Sequence, residues 1–365
     1  MVPIALSGRR PLQLNDAERK GCGYNDVEQR MSFFIIWKEI AQMTLRVGMV
    51  GTGWFGRMHA EKLSKMDDIY VSAFCGTSKE KAEAAAQPFN DARGYDSITD
   101  MLDDRKLDAV YICVPPFAHG EAELALVERG IPFLVEKPIG LDGETPAKIA
   151  EAVERSGLIT STGYHFRYME GTERARELLQ ERTALMALGY WMGSMPGVYW
   201  WRKMEGSGGQ FVEQTTHIVD ALRYLLGEVT EVYAAYGNRI MASKEEGVTV
   251  PDVGTVTLKL ASGAVATISN TCGIQGGDRA GLHIYTDQGV LELGSDGALK
   301  DLRANTKTEY LNRNDPYQAE NEAFIHAVRT GDTSRIRSSY ADAWLTHRVT
   351  IAANQSAETG LPVKL

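Results

Sequence analysis

The chain has 365 residues, of which 44% are hydrophobic and 24% are charged, and its formal net charge is −9. These proportions are ordinary for a soluble globular protein, and the length predicts about two domains, because a domain takes on the order of 150 residues. The negative charge, with no lysine- or arginine-rich patch, argues against a nucleic-acid partner.

The cysteines and the apolar runs indicate the compartment. Cys22, Cys75, Cys113 and Cys272 are scattered, without metal-ligand spacing, and they are too few for a disulfide scaffold. Cys75 and Cys113 fall in predicted strands, where a small buried apolar side chain is expected. The apolar run 33–37 is too short for a membrane span or a signal-peptide core. We therefore expect a cytoplasmic protein with no membrane partner.

The first 43 residues do not share the pattern that follows. They contain Arg9-Arg10, Pro11, Gly21 and Gly23 without sustained periodicity. We expect a loosely ordered extension, or a segment that precedes the natural start at Met43.

A glycine-rich turn follows the apolar run 47–50 and opens a predicted helix. Its sequence, GTGWFG, spans Gly51 to Gly56. In this motif Gly51 permits a tight turn, Gly53 lets the backbone approach a pyrophosphate, and Gly56 lets helix and strand pack closely. Free amides at the helix start favour an anionic phosphate. The pattern predicts a dinucleotide site, and the alternative is a glycine turn in some other α/β protein.

The second predicted strand, residues 69–75, bears on the choice of cofactor. Gly76 follows this strand directly, at the position where NAD-binding proteins usually carry an acidic residue. Thr77, Ser78, Lys79 and Lys81 follow, and hydroxyls with nearby lysines would accept a 2′-phosphate, which favours NADP over NAD. Alternatively, Ser78 caps a helix over residues 79–87 and both lysines lie in solvent.

Helices and strands continue to alternate, as is typical of a parallel α/β sheet. The predicted elements are a helix over 97–104, a strand over 107–114, a helix from His119 to Arg129 that stops at Gly130, a strand over 133–135, a helix over 145–156 and a strand over 158–162. Pro138 cannot donate to a ladder, so Lys137 is expected at the carboxyl end of the sheet, where ligands of open α/β folds bind.

Four segments in this order resemble the signatures of the Gfo/Idh/MocA oxidoreductase family, which includes glucose–fructose oxidoreductase and inositol dehydrogenase. They are GTGWFG at 51–56, PPFAH at 115–119, EKP at 136–138 and SGGQFVEQTTHIVDALRYLLGE at 207–228. The resemblance covers the chain from about Thr44 to its end. It implies an N-terminal NAD(P)-binding Rossmann domain over 44–165 and a C-terminal α/β domain over 166–365. The second domain would have a large, open, mostly antiparallel sheet that pairs subunits into a homodimer or homotetramer.

Strand and helix patterns in the second half support this architecture independently. The predicted strands are 185–191, 229–236, 255–260, 264–269, 282–285 and 290–293. The predicted helices are 211–226, 318–329 and 341–357. Turn signals at Ser262-Gly263 and at residues 287–289 separate neighbouring strands.

The resemblance places catalysis on Lys137, His217 and Glu213. Removing hydride from a carbinol carbon needs a base for the hydroxyl proton and a group that stabilises the alkoxide. We assign His217 as the base and Lys137 as the orienting and stabilising charge. Glu213 lies four residues before His217, so both are expected on the same side of the predicted helix. The family usually has aspartate there, so the role of Glu213 depends on a longer side chain.

Further cofactor contacts are implied by the same motifs. They comprise Gly51, Gly53, Trp54, Phe55, Gly56, Gly76, Thr77, Ser78, Lys81, Val114, Pro115, Pro116, His119, Glu136, Lys137, Trp201, Arg202 and Tyr317. His119 is assigned to cofactor-side packing or capping. The expected substrate contacts are Tyr164, Arg167, Trp200, Glu213 and His217, with His165 also at the cleft. Asp220 and Arg223 are expected to form a structural pair.

These assignments predict an NAD(P)-dependent oxidoreductase that acts on a carbinol or ketone carbon of a sugar, cyclitol or sugar derivative. No metal is expected, because no His, Asp and Glu set has ligand spacing. One alternative is a glycosidase-like enzyme that oxidises a sugar transiently with bound NAD. Another is a non-catalytic dinucleotide-binding regulator, which would have no need of Lys137 and His217.

Overall fold

The computed structural model describes residues 44–276 and 279–365. The extension that the sequence predicts over residues 1–43, with Cys22, lies outside the described residues. Cys75, Cys113 and Cys272 are free and buried, as small apolar side chains would be. Among the described helices, none is both long and apolar enough to span a bilayer.

The first sheet is a six-stranded parallel sheet with the order β3-β2-β1-β4-β5-β6. Its elements are β1 (Leu45–Val50), α1 (Trp54–Leu63), β2 (Ile69–Cys75), α2 (Lys79–Ala86), β3 (Arg93–Tyr95), α3 (Ile98–Asp104), β4 (Ala109–Ile112), α4 (Glu121–Arg129), β5 (Phe133–Val135), α5 (Glu144–Ser156) and β6 (Thr160–Thr162). This strand order is that of a dinucleotide-binding Rossmann sheet, as the sequence predicts.

Two details of the first sheet differ from the prediction. The edge strand β3 was not predicted, because its three residues include Gly94 and form no apolar run. A Cβ on Gly94 would lie 2.2 Å from the backbone nitrogen of Glu83, so glycine is needed where α2 packs against this strand. The helix predicted to open at His119 begins instead at Glu121, after a short 3₁₀ turn over Pro116–Ala118.

The second sheet has nine strands in the order β14-β13-β12-β11-β7-β10-β9-β8-β15. Its strands are β7 (Ala184–Met192), β8 (Val229–Gly237), β9 (Val253–Leu260), β10 (Val265–Thr271), β11 (Arg279–Thr286), β12 (Gly289–Gly294), β13 (Leu299–Leu302), β14 (Lys307–Tyr310) and β15 (Val363–Lys364). Within the described part of this second sheet, only β7 and β10 pair in parallel, and the other pairs are antiparallel. The predicted open, mostly antiparallel sheet is confirmed, with three strands more than the sequence indicated.

The described helices cover one face of this sheet, and side chains on its other face are exposed or half-buried. The helices after residue 165 are α6 (Glu170–Leu179), α7 (Met204–Ser207), α8 (Gln210–Glu213), α9 (Thr216–Leu226), α10 (Met241–Lys244), α11 (Pro316–Thr330) and α12 (Tyr340–Thr359). Leu222 and Val349 join Val256, Ile268 and Ile284 in the core between helices and sheet. The period-two burial of β9 follows from this one-sided packing.

The single helix predicted over residues 211–226 is wrong. The chain forms α8, turns through Gln214 and Thr215, and starts again as α9. Glu213 and His217 are therefore on different helices and do not share one helical face. The break lets the Glu213 carbonyl point to a side chain instead of continuing the helical ladder.

Candidate functional site

The glycine loop has the shape that a pyrophosphate requires. Gly51 has φ +105°, and a Cβ there would lie 2.1 Å from the carbonyl oxygen of Cys113. A Cβ on Gly56 would lie 2.3 Å from the Gly51 oxygen, whereas one on Gly53 would have nothing within 4 Å. The first turn of α1 carries no acidic residue and no side-chain cap, so its amides remain available to an anion. These observations fit a dinucleotide.

The end of β2 contains the residues predicted to select the cofactor. Ser78 caps α2 by accepting from the backbone nitrogen of Lys81, as the capping interpretation predicts. Lys81 Nζ in turn donates to Thr77 Oγ1 at 3.3 Å. Thr77, Lys79 and Lys81 are exposed, so the cap leaves these side chains accessible to a phosphate.

Lys137 lies directly after β5 at the carboxyl end of the parallel sheet. Its Nζ donates to the Glu213 carbonyl oxygen at 2.9 Å and to Glu213 Oε1 at 3.1 Å. The Phe55 ring lies 5.9 Å from the same nitrogen. The lysine side chain is only 6% exposed, so its charge acts in a site that is largely shielded from water.

Trp201 holds the second carboxylate oxygen of Glu213. The indole Nε1 donates to Glu213 Oε2 at 2.6 Å, and the tryptophan is buried. Its N–H thus contacts a catalytic candidate, while the cofactor contact that the resemblance implied for Trp201 stays a prediction. Arg202 forms an ion pair with Glu245 at 2.9 Å. The two carboxylate oxygens of Glu213 thus each accept a hydrogen bond, one from Lys137 and the other from Trp201.

His217 is enclosed by rings. Phe166 and Trp191 stack on it with centroids at 4.9 and 5.9 Å, and His165 meets it edge-on at 4.8 Å. Burial, the Lys137 charge and His165 hold the pKa of His217 well below its usual value. The imidazole is therefore neutral at physiological pH and can accept a proton.

His165 and Tyr317 form the neighbouring wall of the site. Their rings stack with centroids 4.1 Å apart, and Tyr317 also lies 6.3 Å from Phe55 of the glycine-loop helix. Burial, with the charges of Lys137 and His59, lowers the pKa of His165 to about 3. Tyr317 thus lies beside the glycine-loop helix, and its contact with the cofactor stays a prediction.

Two side chains that are predicted to contact substrate form hydrogen bonds with other residues of the protein. Tyr164 is fully buried, and its hydroxyl lies 2.9 Å from Thr216 Oγ1. Arg167 makes two 2.7 Å hydrogen bonds to Asp220 and an ion pair to Asp342. Both side chains support the site from within the protein, because their polar atoms already have partners. The substrate contact assigned to each of them stays a prediction.

The predicted Asp220–Arg223 pair is wrong. Asp220 accepts from Arg167, while Arg223 donates to Glu228 at 2.7 Å and to Thr346 at 2.6 Å. Residues three apart on a helix can meet, but each of these finds a better partner on another element.

The turn after β4 brings the PPFAH segment to the same edge. Val114 and Pro115 are half-buried and Pro116 is buried. Phe117 meets Trp200 with centroids 6.5 Å apart, so the Trp200 loop approaches this turn. His119 Nδ1 lies 2.6 Å from Glu123 Oε1, and Glu123 Oε2 accepts from Gly120. This geometry agrees with the capping role given to His119.

Sequence reasoning missed the residues behind Glu136. His59 Nε2 lies 3.1 Å from Glu136 Oε1, and His59 Nδ1 lies 2.9 Å from Asn321 Oδ1. Glu320 is buried next to them. One signal existed: His59 follows the third glycine by three residues, which turns it back toward the sheet. Nothing local to Glu320 or Asn321 indicates this contact.

Comparisons with known proteins agree with the geometry. An oxidoreductase family model with an NAD-binding Rossmann fold matches residues 45–164, and the GFO/IDH/MocA C-terminal domain model matches residues 182–292. Myo-inositol 2-dehydrogenase of Thermotoga maritima is 24% identical over 88% of this chain and 98% of its own length. D-glucoside 3-dehydrogenase of Escherichia coli is 25% identical over 88% and 97%.

A solved structure shows the same fold. Levoglucosan dehydrogenase, in complex with NADH and L-sorbose, superposes with a TM-score of 0.78 at 20% identity, covering 88% of this chain and 99% of that one. Together with the two family models, this likeness extends over both sheets. The chain belongs to the Gfo/Idh/MocA oxidoreductase family.

Proposed function

We propose that this protein is an NAD(P)-dependent dehydrogenase that transfers hydride between nicotinamide and a carbinol carbon of a sugar, cyclitol or sugar derivative. The observation that carries the proposal is the convergence of Lys137, Glu213 and His217 at the carboxyl end of a Rossmann sheet with an open glycine loop. Relatives named inositol, glucoside and xylose dehydrogenases support the substrate class.

The residues divide the work of proton handling and orientation. When bound, the nicotinamide supplies the hydride chemistry. Lys137 stabilises the developing alkoxide as a buried cation, and Glu213 holds that cation in place through two acceptors. His217 is neutral and takes the hydroxyl proton. Because its surroundings disfavour an imidazolium, the accepted proton leaves readily, and the neutral base is restored after oxidation.

We further propose that NADP is preferred. Thr77, Lys79 and Lys81 are exposed beside the strand end, and Gly76 replaces the usual acid. The helix cap uses only the Ser78 hydroxyl, so it does not occupy the side chains of Thr77, Lys79 and Lys81. The lysines supply positive charge to a 2′-phosphate, and no carboxylate at position 76 repels it.

The test is a titration followed by a substrate screen. Purified protein is titrated with NADPH and with NADH by fluorescence, and turnover with polyols, glycosides and free sugars is then followed by absorbance of the reduced cofactor. Tighter NADPH binding that Lys81→Ala weakens supports the NADP assignment, with Lys148→Ala as an exposed-lysine control. Binding of either cofactor without hydride transfer to any member of the screen would contradict the dehydrogenase. Aglycone release without net change in NAD(P)H would indicate the glycosidase-like reaction.

The outer face of the second sheet supports an oligomer. Met186, Leu188, Tyr233 and Val265 are exposed on the face away from the helices, each at least 37% accessible. Val265 pairs directly with Met186, whereas Thr257 and Thr267 lie between Tyr233 and Leu188. Large exposed apolar side chains grouped on one sheet face are typical of a subunit interface. We therefore propose a homodimer or homotetramer formed through this face, in the cytoplasm.

A further inference from the structure

A buried polar cluster lies directly behind Lys137. It consists of His59 from α1, Glu136 from the end of β5 and Glu320 from α11. Their exposed fractions are 0%, 3% and 0%. One nitrogen or oxygen atom of each lies within 4.8 Å of those of the other two. The cluster therefore places two carboxyl groups together out of contact with water.

Two members of the cluster are held by hydrogen bonds. His59 bridges Asn321 and Glu136 at 2.9 and 3.1 Å. The other Glu136 oxygen, Oε2, accepts from the backbone nitrogen of Lys137 at 3.1 Å. A Cβ on Gly163 would lie 2.6 Å from that oxygen, so the carboxyl group is also confined sterically. Glu136 is thus a rigid link from the cluster to the Lys137 backbone.

Glu320 differs, because neither of its oxygens has a hydrogen-bond partner among the described residues. The hydroxyl of Tyr111 and the amide nitrogen of Asn321 are buried without partners as well. Burial, with the charges of Glu136 and Asp220, raises the pKa of Glu320 well above its usual value. An ionised carboxylate here would carry an uncompensated buried charge.

Within the described residues, the groups whose charges shift the pKa of Glu320, or whose pKa Glu320 shifts, include no cation. Besides Glu136 they are Asp220 of α9, Tyr111 of β4, Cys113, Tyr168 and Tyr317. All of these are acids or are neutral at physiological pH. His59 is the one potential cation of the cluster within the described part of the chain, and it already faces Glu136.

We propose that Glu320 is a positioning residue, held as a neutral carboxylic acid, which leaves Glu136 as the single anion behind Lys137. A second anion would repel Glu136 and loosen its bonds to His59 and to the Lys137 amide. Glu320 thereby acts through Glu136 on the placement of Lys137. The positioning part rests on the proposed function, whereas the protonation state of Glu320 does not.

The protonation state can be measured without any turnover. A protonated carboxylic acid has a carbonyl stretch above the amide I band, so infrared difference spectra are recorded for the wild type and Glu320→Gln. The matched control is Glu322→Gln, an exposed change on the same helix. We expect the band in the wild type and the control but not in Glu320→Gln. An unchanged band in Glu320→Gln, or a stoichiometric metal ion that this variant loses, would overturn the proposal.

If Glu320→Gln does not fold, the infrared spectrum of the wild type alone tests whether Glu320 is protonated. Its carboxylic-acid band must persist from neutral pH to about pH 8, because ordinary carboxyl groups are ionised throughout that range. Absence of any such band overturns the proposal.

The positioning role has a separate kinetic readout. An amide has the size and neutrality of a protonated acid, so Glu320→Gln should keep kcat/KM at neutral pH within about twofold of the wild type. In the wild type, ionisation of Glu320 at alkaline pH should lower kcat/KM. Glu320→Gln cannot ionise there, so its kcat/KM should fall less at alkaline pH. A fall identical in the wild type, Glu322→Gln and Glu320→Gln contradicts the positioning role while leaving the dehydrogenase proposal intact.

Discussion

Lys137 Nζ donates to two acceptors of a single residue, Glu213 Oε1 at 3.1 Å and the Glu213 carbonyl oxygen at 2.9 Å. The contact joins the end of β5 in the Rossmann sheet to the end of α8. The carbonyl is free to accept because α8 stops there and α9 begins only at Thr216. The broken helix thus supplies a ligand for the lysine that an unbroken helix would have withheld.

Replacing Lys137 with methionine should abolish most activity while the fold is retained. Methionine keeps an apolar stem in the site and removes the charge that stabilises the alkoxide. We expect kcat to fall on the order of 10²- to 10³-fold. Affinity for the reduced cofactor, measured by fluorescence, should fall much less than kcat, because Lys137 is one of many predicted cofactor contacts. The matched control is Lys148→Met, whose side chain is 66% exposed. Near-normal kcat in Lys137→Met would remove this residue from the mechanism.

Trp201→Phe tests whether the indole N–H positions Glu213. The ring is largely preserved, but the 2.6 Å hydrogen bond to Glu213 Oε2 is lost. A hydrogen bond to a charged group contributes about 1.5–3 kcal/mol, so kcat should fall by about tenfold or more. Steady-state kinetics against Trp344→Phe provide the comparison, because Trp344 lies on α12 and has no hydrogen bond to Glu213 among the described contacts. Equal kinetics in the two variants would show that the Trp201 bond does not matter for catalysis.

The sequence predicts those features of the fold and the site that depend on neighbouring residues, and it misses those that depend on contacts between distant residues. The glycine loop, the position of Lys137 after β5 and the cap at Ser78 depend on neighbouring residues, and their geometry is as predicted. Arg167 pairs with Asp220 across 53 positions, and His59 meets Asn321 across 262. Such partners are set by how elements pack, which periodicity does not encode. Lacking them, the sequence assigned the buried Arg167 to substrate.

Two glycine substitutions should have opposite consequences in the same loop. Gly53→Ala places a methyl group in open space, so the melting temperature should not change. Affinity for the cofactor should fall, because this is the space that we expect the pyrophosphate to occupy. Gly56→Ala places it 2.3 Å from the Gly51 oxygen and should instead lower the stability of the whole chain. Calorimetry and fluorescence titration of both variants separate these effects. Unchanged cofactor binding in a folded Gly53→Ala protein would contradict the phosphate assignment.

Buried neutral histidines predict acid sensitivity. Burial lowers the pKa of His347 to about 4 and that of His165 to about 3, and it lowers the pKa of His217 also. In the unfolded chain these groups have pKa values of about 6.5, so below that pH the unfolded state binds more protons and the free energy of unfolding decreases. Each histidine contributes up to about 1.4 kcal/mol per pH unit between pH 6.5 and its folded pKa.

Urea denaturation at a series of pH values between about 7 and 5 measures this slope. His347→Gln should reduce the slope by about one proton, because it removes one of the buried imidazoles. Lys148→Gln, a change at an exposed side chain of α5, should leave it almost unchanged. A wild-type stability that is flat over this range would show that the three histidines are already protonated or hydrated in the folded state.

Leu188→Glu should dissociate the oligomer that the outer sheet face predicts. Leu188 lies at the centre of β7, beside Thr267 of β10 and His283 of β11, and is 38% exposed. A buried carboxylate in a subunit interface is strongly unfavourable, whereas on a free surface it costs little. Light scattering after size exclusion should give a dimer or tetramer for the wild type and a smaller species for the variant, with unchanged circular dichroism. Leu311→Glu, a change at a 61% exposed leucine outside the sheet, is the control that should keep the wild-type mass. A wild type that is monomeric at micromolar concentration would leave this apolar face without a subunit to cover it.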